Sequence, residues 1–223
     1  GYVSDMDSWI VSKPSYRAVV TGYDWPFMKG GHLSGGTLSM LHHAVLGPIV
    51  AAGPTEYIMR EPLNMQEVRG TAALGCPVPR IEYADSGIIY SSMYDVSASL
   101  SSVDGIIRAI GILRDRDGRA LGNGEYRIIY HFLDDAVRIE ASFQRGCFIL
   151  PVISGARPSL SVDGSNILIQ RTDGAIQLCA ERGMLRKLSP EDAIFSFSPG
   201  FSMLPIALDA DSGTIDISIR FSD

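Results

Sequence analysis

One segment near the start of the chain concentrates side chains that could bind a saccharide. Residues 23–36 read Tyr-Asp-Trp-Pro-Phe-Met-Lys-Gly-Gly-His-Leu-Ser-Gly-Gly, which brings aromatic rings, four glycines and His32 together. Glycines let a backbone approach a ligand closely, and aromatic rings offer flat faces for sugar rings. The glycines match neither a Walker loop nor a dinucleotide fingerprint, each of which is followed by a helix. The segment predicts a saccharide-contacting loop, or equally a set of aromatic residues packed beneath a surface loop.

A second polar stretch follows over residues 56–66, which read Glu-Tyr-Ile-Met-Arg-Glu-Pro-Leu-Asn-Met-Gln. Arginine and amide side chains recognise carboxylate and hydroxyl groups. We therefore take Tyr57, Arg60, Asn64 and Gln66 as candidate substrate-binding residues. The alternative is an irregular surface loop with ordinary polar residues.

His42 and His43 are adjacent in the sequence. On a strand, neighbouring side chains point to opposite faces, so the two rings cannot ligate one ion together. His42 could face the same cleft as His32, and we include it among the candidate substrate-binding residues. Zinc needs about four nitrogen, oxygen or sulfur ligands, and these cannot be assembled around His32. We therefore expect no metal and no cofactor.

Further polar groups lie on later segments that have strand character. His131 falls on the same strand face as Arg127 and Ile129, where it could touch a ligand. Arg108 and Arg138 could line a concave sheet face in the same way. The sequence does not distinguish ligand binding from ordinary solvation at these positions.

The composition is that of a folded, acidic chain. It has 223 residues, 46% of them hydrophobic, and 19 Lys and Arg against 25 Asp and Glu give a net charge of −6. A nucleic-acid binder needs a basic face, so we expect no nucleic-acid partner. The longest uncharged stretch contains prolines, histidines and several glycines, so we expect no membrane insertion. The sequence leaves the disulfide state of Cys76, Cys147 and Cys179 open.

Short apolar segments alternate with strong turn signals from about residue 108 onward. Asp-Gly and Asn-Gly pairs mark tight turns because they tolerate positive φ angles. Between these turns the apolar residues recur with a period of two, most clearly over residues 214–221, as in a half-buried strand. The sequence predicts an all-β fold, a large antiparallel β-sandwich of the supersandwich type with little or no helix.

We expect one sandwich domain over residues 1–223. Residues 1–30 could form an irregular N-terminal lead-in. Residues 37–41 and 47–52 are separated by a glycine and proline turn signal, and they predict a strand, a turn and a second strand.

The run from Gly30 to Leu41 and on to Gly53 resembles the start of the C-terminal β-sandwich of the heparinase II/III-like polysaccharide lyases. In that family a glycine-rich turn and a histidine precede an apolar strand, and a second strand ends in glycine. Two positions differ from the family pattern. Ser34 stands where an acidic or metal-binding residue is common, and the second strand ends without Asp-Pro-Gly. A structural zinc site found in some relatives is therefore expected to be absent.

The resemblance implies a lyase that cleaves an acidic, uronate-containing polysaccharide by β-elimination, with His32 contributed to the cleft. In the family the other catalytic groups lie on an N-terminal α/α-toroid, and this chain has no run of amphipathic helices. The chain would then be the C-terminal part of a larger protein, linked covalently to an upstream toroid and inactive alone. A periplasmic or cell-surface location is implied by the same resemblance. The alternative is a non-catalytic carbohydrate-binding or structural β-sandwich module.

Overall fold

The structure, a computed structural model, describes residues 1–23, 33–53, 59–60, 67–68, 77–155, 159–188 and 203–222. Within these residues the only helical segments are the 3-10 turns Ser4–Met6 and Ser92–Tyr94. No helix in the described part of the chain is long and apolar enough to cross a bilayer. The strands are β1 (Tyr2–Val3), β2 (Ser8–Ser12), β3 (Tyr16–Tyr23), β4 (Ser34–His43), β5 (Gly47–Ala51), β6 (Met59–Arg60), β7 (Glu67–Val68), β8 (Arg80–Asp85), β9 (Ile88–Ser91), β10 (Ser99–Val103), β11 (Ile106–Arg114), β12 (Ala120–Phe132), β13 (Ala136–Phe143), β14 (Cys147–Ile153), β15 (Ser159–Asp163), β16 (Asn166–Arg171), β17 (Gly174–Arg182), β18 (Met184–Lys187), β19 (Met203–Asp209) and β20 (Thr214–Ser222).

The described strands form two large antiparallel sheets, which confirms the all-β prediction. The smaller sheet has five strands in the order β1-β2-β3-β4-β5. The larger sheet has 13 strands in the order β15-β16-β17-β20-β13-β12-β11-β9-β8-β14-β19-β18, with β10 paired to β11. Strands β6 and β7 make a separate two-stranded pair.

The period-two pattern predicts the inner face of the larger sheet correctly. In β20, Ile215, Ile217 and Ile219 are at most 1% exposed, and they belong to one continuous core cluster. The smaller sheet contributes Ala18 of β3 and Leu38 of β4 to the same cluster. Removing apolar area from water is the main stabilising contribution in such a core.

The N-terminal region is more regular than the sequence suggests. Within residues 1–30, for which an irregular lead-in was an open expectation, residues 2–3, 8–12 and 16–23 are strands of the smaller sheet. Strands β4 and β5 confirm the predicted strand, turn and strand.

Gly35 and Gly36 bring the two layers into close contact at the start of β4. Both have positive φ angles, 75° and 72°, and β4 shifts its register against β3 in this region. A Cβ atom on Gly36 would lie 2.1 Å from Cβ of Ala109 in β11, and the Gly36 carbonyl accepts a 2.8 Å hydrogen bond from the Tyr130 hydroxyl. The glycine pair therefore has a structural role, since any side chain there would separate the layers.

Asp95 is a second buried connection, between the larger sheet and the 3-10 turn Ser92–Tyr94. Its side chain is fully buried and accepts hydrogen bonds from the Ile112 backbone N–H (2.8 Å), the Ser97 hydroxyl (2.7 Å) and Nε of Arg114 (3.2 Å). The Tyr126 hydroxyl lies 3.2 Å from its Oδ2. A buried carboxylate requires such partners because it has lost its water.

Candidate functional site

His32 lies outside the described residues, two positions before β4 begins. The residue after it, Leu33, packs against a small buried cluster of Val78 and Met93, together with Tyr94. Ser34 then fixes the start of β4, because its hydroxyl donates a 2.6 Å hydrogen bond to the Met93 carbonyl. The assignment of His32 to a cleft stays a prediction.

The other predicted substrate-binding residues are described only in part. Tyr57, Asn64 and Gln66 lie outside the described residues, and Arg60 is described by its backbone alone, which pairs with Glu67 of β7. His42 is described fully and is exposed on β4. Among His32 and the five predicted substrate-binding residues, His42 is the one whose side-chain position the structure gives.

The two neighbouring histidines point to opposite faces, as the strand pattern predicts. His43 is 3% exposed, and its Nδ1 accepts hydrogen bonds from the backbone N–H groups of Val45 (3.3 Å) and Leu46 (3.2 Å). Its ring lies 5.1 Å from that of Phe221. These contacts make His43 a structural residue, and they leave His42 as the accessible imidazole of the pair.

The outer face of the larger sheet carries a polar groove of about 180 Å³. Strands β12, β13, β20 and β17 lie side by side here, and their inward residues form the core, so the alternate residues face outward. The charged residues that line the groove are Arg127, Arg138, Glu140, Arg182 and Asp216. We call this feature the arginine groove.

Arg138 neutralises the carboxylates of the arginine groove. It contacts Asp216 through two parallel hydrogen bonds, 2.8 Å from Nε and 2.6 Å from Nη2, and its Nη2 lies 3.3 Å from Glu140. The bond to Asp216 raises the pKa of Arg138 further above its ordinary value, and Glu140 and nearby Glu181 add to this effect. Nε2 of His131 lies 2.8 Å from the same Glu140 oxygen, at an angle outside that of a hydrogen bond.

Arg127 and Arg182 are different, because both are exposed and neither has a carboxylate partner among the described residues. Arg108 lies opposite Ile129, and Arg220 follows Asp216 and Ser218 on the same side of β20, so both are on the outer face and are likewise unpaired within the described part of the chain. Elsewhere most described cations are engaged, as with Arg171 and Asp173. Available positive charge is thus concentrated on this one sheet face.

Part of this face is predictable from the sequence. Alternation predicts that His131 shares a strand face with Arg127 and Ile129, and the structure confirms that these three share the outer face of β12. Arg182 is not predictable in this way, because strict alternation would put that residue on the core face. A β-bulge between Ala180 and Arg182 turns Arg182 outward, opposite Asp216.

The two described cysteines do not contribute a reactive group. Cys147 and Cys179 are free thiols, and Cys179 is buried. Burial raises the pKa of Cys147 to about 11, which keeps it protonated at neutral pH.

The chain has relatives among known proteins. The ulvan lyase C-terminal domain family matches it over residues 1–222. A broad-specificity ulvan lyase from Formosa agariphila is 27% identical over an alignment that covers 93% of this chain and 34% of that protein. The chain thus spans about a third of the length of this curated relative.

Among solved structures, the crystal structure of a putative aldose 1-epimerase from Escherichia coli K12 is similar, with a TM-score of 0.52 and 10% sequence identity. The match covers 97% of this chain and 99% of the epimerase chain. At this identity the likeness concerns the fold alone, and it indicates a shared large β-sandwich architecture.

Proposed function

Because the chain belongs to the ulvan lyase C-terminal domain family, we propose that it is the C-terminal β-sandwich module of a polysaccharide lyase acting on an acidic glycan. The family match over residues 1–222 is the observation that carries this proposal. The 34% coverage of the ulvan lyase relative supports a further domain in the complete protein.

The proposed reaction is β-elimination on a uronate-containing polysaccharide. In such a reaction the uronate carboxylate is neutralised, a base removes the C5 proton, and an acid protonates the departing glycosidic oxygen. We assign His32 to the cleft, as the heparinase II/III-like resemblance implies, and the remaining catalytic groups to an upstream α/α-toroid. The isolated chain is then inactive.

Substrate binding in this cleft is assigned to Tyr57, Arg60, Asn64, Gln66 and His42. Arginine and amide groups suit carboxylates and hydroxyls, and the exposure of His42 leaves its ring available. The proposal includes a periplasmic or cell-surface location, as the heparinase II/III-like resemblance implies.

The test is the formation of unsaturated uronide, followed by its ultraviolet absorbance, in the full-length protein. We expect His32→Ala to lower kcat by about a hundredfold, as for loss of a general acid or base, with partial rescue by added imidazole. His42→Ala should instead raise KM and leave kcat close to that of the wild type. Unchanged turnover in His32→Ala, with an unchanged melting temperature, would remove His32 from the mechanism.

The arginine groove favours a second candidate function, a carbohydrate-binding module without chemistry. The assay for unsaturated uronide distinguishes this binding function from the lyase function. A full-length protein that binds acidic polysaccharide but forms no unsaturated product would support the binding module over the lyase.

A further inference from the structure

We infer that the arginine groove is a separate binding site for anionic groups of a polysaccharide, carboxylate or sulfate, with Arg127 and Arg182 as its recognition residues. The inference rests on the proposed function in taking an acidic polysaccharide as the ligand. It places this site on the outer face of the larger sheet, whereas the candidate cleft residues His32 and His42 belong to the segments around β4 of the smaller sheet.

The charges of the groove favour an anionic ligand. The lining holds three arginines and two carboxylates. Arg138 is bound to Asp216 and lies 3.3 Å from Glu140, so both carboxylates are already engaged. Arg127 and Arg182 keep their full hydrogen-bonding capacity, and a guanidinium binds carboxylates and sulfate-like oxyanions through two parallel N–H donors.

The spacing of the two arginines suits a polymer. Arg127 of β12 and Arg182 of β17 are separated by β13 and β20. Neighbouring strands lie about 4.8 Å apart, so the two backbones are about 14 Å from each other. Charged groups on nearby sugars of one polysaccharide chain can contact both arginines at this separation.

The groove also carries hydroxyl groups that suit a saccharide. Ser142 lies opposite both Arg127 and Thr214 in the register, whereas Arg182 lies opposite Asp216, and Ser142 and Thr214 both line the groove. Their hydroxyls can donate and accept hydrogen bonds. The described lining contains no aromatic ring, so recognition depends on charge and hydroxyl groups instead of stacking.

This chemistry predicts binding that weakens with added salt, because exposed ion pairs are screened. The test is affinity electrophoresis of the full-length protein in gels that contain one polysaccharide each. The probes are ulvan, polygalacturonate for carboxylate alone, dextran sulfate for sulfate alone, and neutral dextran. Binding to ulvan and to either charged probe, without binding to dextran, supports the inference and identifies the anion.

The decisive variant removes both free guanidiniums, Arg127→Ala with Arg182→Ala. We expect its affinity for ulvan to fall about tenfold, as for the loss of two charge-assisted contacts. The matched control is Arg145→Ala with Lys187→Ala, which removes the same net charge from other exposed positions. The control should lose at most about twofold, since neither residue lines the groove and only screened charges change.

Three results would overturn the inference. They are equal losses in the two double variants, full affinity in the Arg127 and Arg182 variant, or comparable binding of neutral dextran. If that full affinity comes with a lower melting temperature, the two arginines contact another part of the protein instead. If the lyase proposal alone fails, the full-length protein forms no unsaturated product but still shows polysaccharide binding that depends on Arg127 and Arg182.

Discussion

Two Arg–Asp pairs in this molecule have different surroundings. Asp95 is fully buried, and Arg114 reaches its Oδ1 at 3.2 Å while backbone and hydroxyl donors occupy its other positions. Asp216 binds Arg138 at 2.6 Å and 2.8 Å in an open groove. Around Asp95 the donors all belong to the fold, whereas the arginines beside Asp216 include two with no internal partner.

The difference shows how to separate structural from recognition charges. A polar group whose bonds are all satisfied internally holds the chain together, and its removal leaves buried partners unpaired. A guanidinium held exposed and unpaired has no such role in stability. Mutations at the two places should therefore act on different quantities, unfolding free energy in one and affinity in the other.

The largest effect is expected at the buried pair. Asp95→Ala should lower the free energy of unfolding by about 3–5 kcal/mol, because Arg114 and several N–H and O–H donors lose their acceptor. Denaturant unfolding measures this value. Asp163→Ala, at the exposed end of β15, is the control and should change it by less than about 0.5 kcal/mol. Similar values for both would contradict the structural role of Asp95.

The second largest loss of stability is expected at the contact between the two layers. Gly36→Ala adds a clash with Ala109 to the strain of a positive φ, and we expect a loss of about 3 kcal/mol. Gly105 has a φ of 78°, and a Cβ there meets nothing within 4 Å. Gly105→Ala therefore isolates the strain and should cost about 1 kcal/mol. Equal losses of unfolding free energy in Gly36→Ala and Gly105→Ala would show that the layers can separate freely at β4.

Alkaline pH should weaken the same layer contact. Burial raises the pKa of Tyr126 and Tyr130 above 10.0, so both stay protonated in the folded state. The unfolded chain releases these protons above about pH 10, and stability should then fall by about 1 kcal/mol per tyrosine up to about pH 11. The double variant Tyr126→Phe with Tyr130→Phe should lose less over this interval. If the unfolding free energies of the wild type and the double variant fall in parallel as the pH rises, the two hydroxyls are not protected by burial.

The smallest effect is expected in the arginine groove. Arg127→Ala should leave the unfolding free energy within about 0.5 kcal/mol of the wild type, because no internal bond is lost. Arg138→Ala should lower it by about 1–2 kcal/mol, because Asp216, whose side chain is only 12% exposed, loses its partner, while the 40% exposure of Arg138 lets water screen part of the pair. Thermal melts of the two variants give this comparison. A large destabilisation by Arg127→Ala would assign that residue to the fold.

The strands were predictable because burial on one face imposes a period of two. The alternation over residues 214–221 predicts β20 in this way, and the alternate isoleucines are buried as expected. The glycine pair was recognised as special but interpreted as a site loop. Its role in layer contact depends on Ala109 and Tyr130, which are distant in sequence, so no local pattern could reveal it.

The arginine groove was less predictable for two physical reasons. Its residues come from four strands, and strand order is fixed by long-range pairing that a single sequence does not encode locally. The bulge at residue 181 then turns Arg182 to the outer face, so the alternating pattern predicts the wrong face for it even when the strand is known. His32 remains a prediction from resemblance alone.

The most direct measurement is the initial rate of unsaturated uronide formation by the full-length protein, at increasing concentrations of ulvan. We expect saturating kinetics, a much lower kcat in His32→Ala, and a raised KM with near-normal kcat in the Arg127→Ala, Arg182→Ala variant. Absence of unsaturated product from the wild-type protein at every concentration, while it still binds the polymer, would contradict the account.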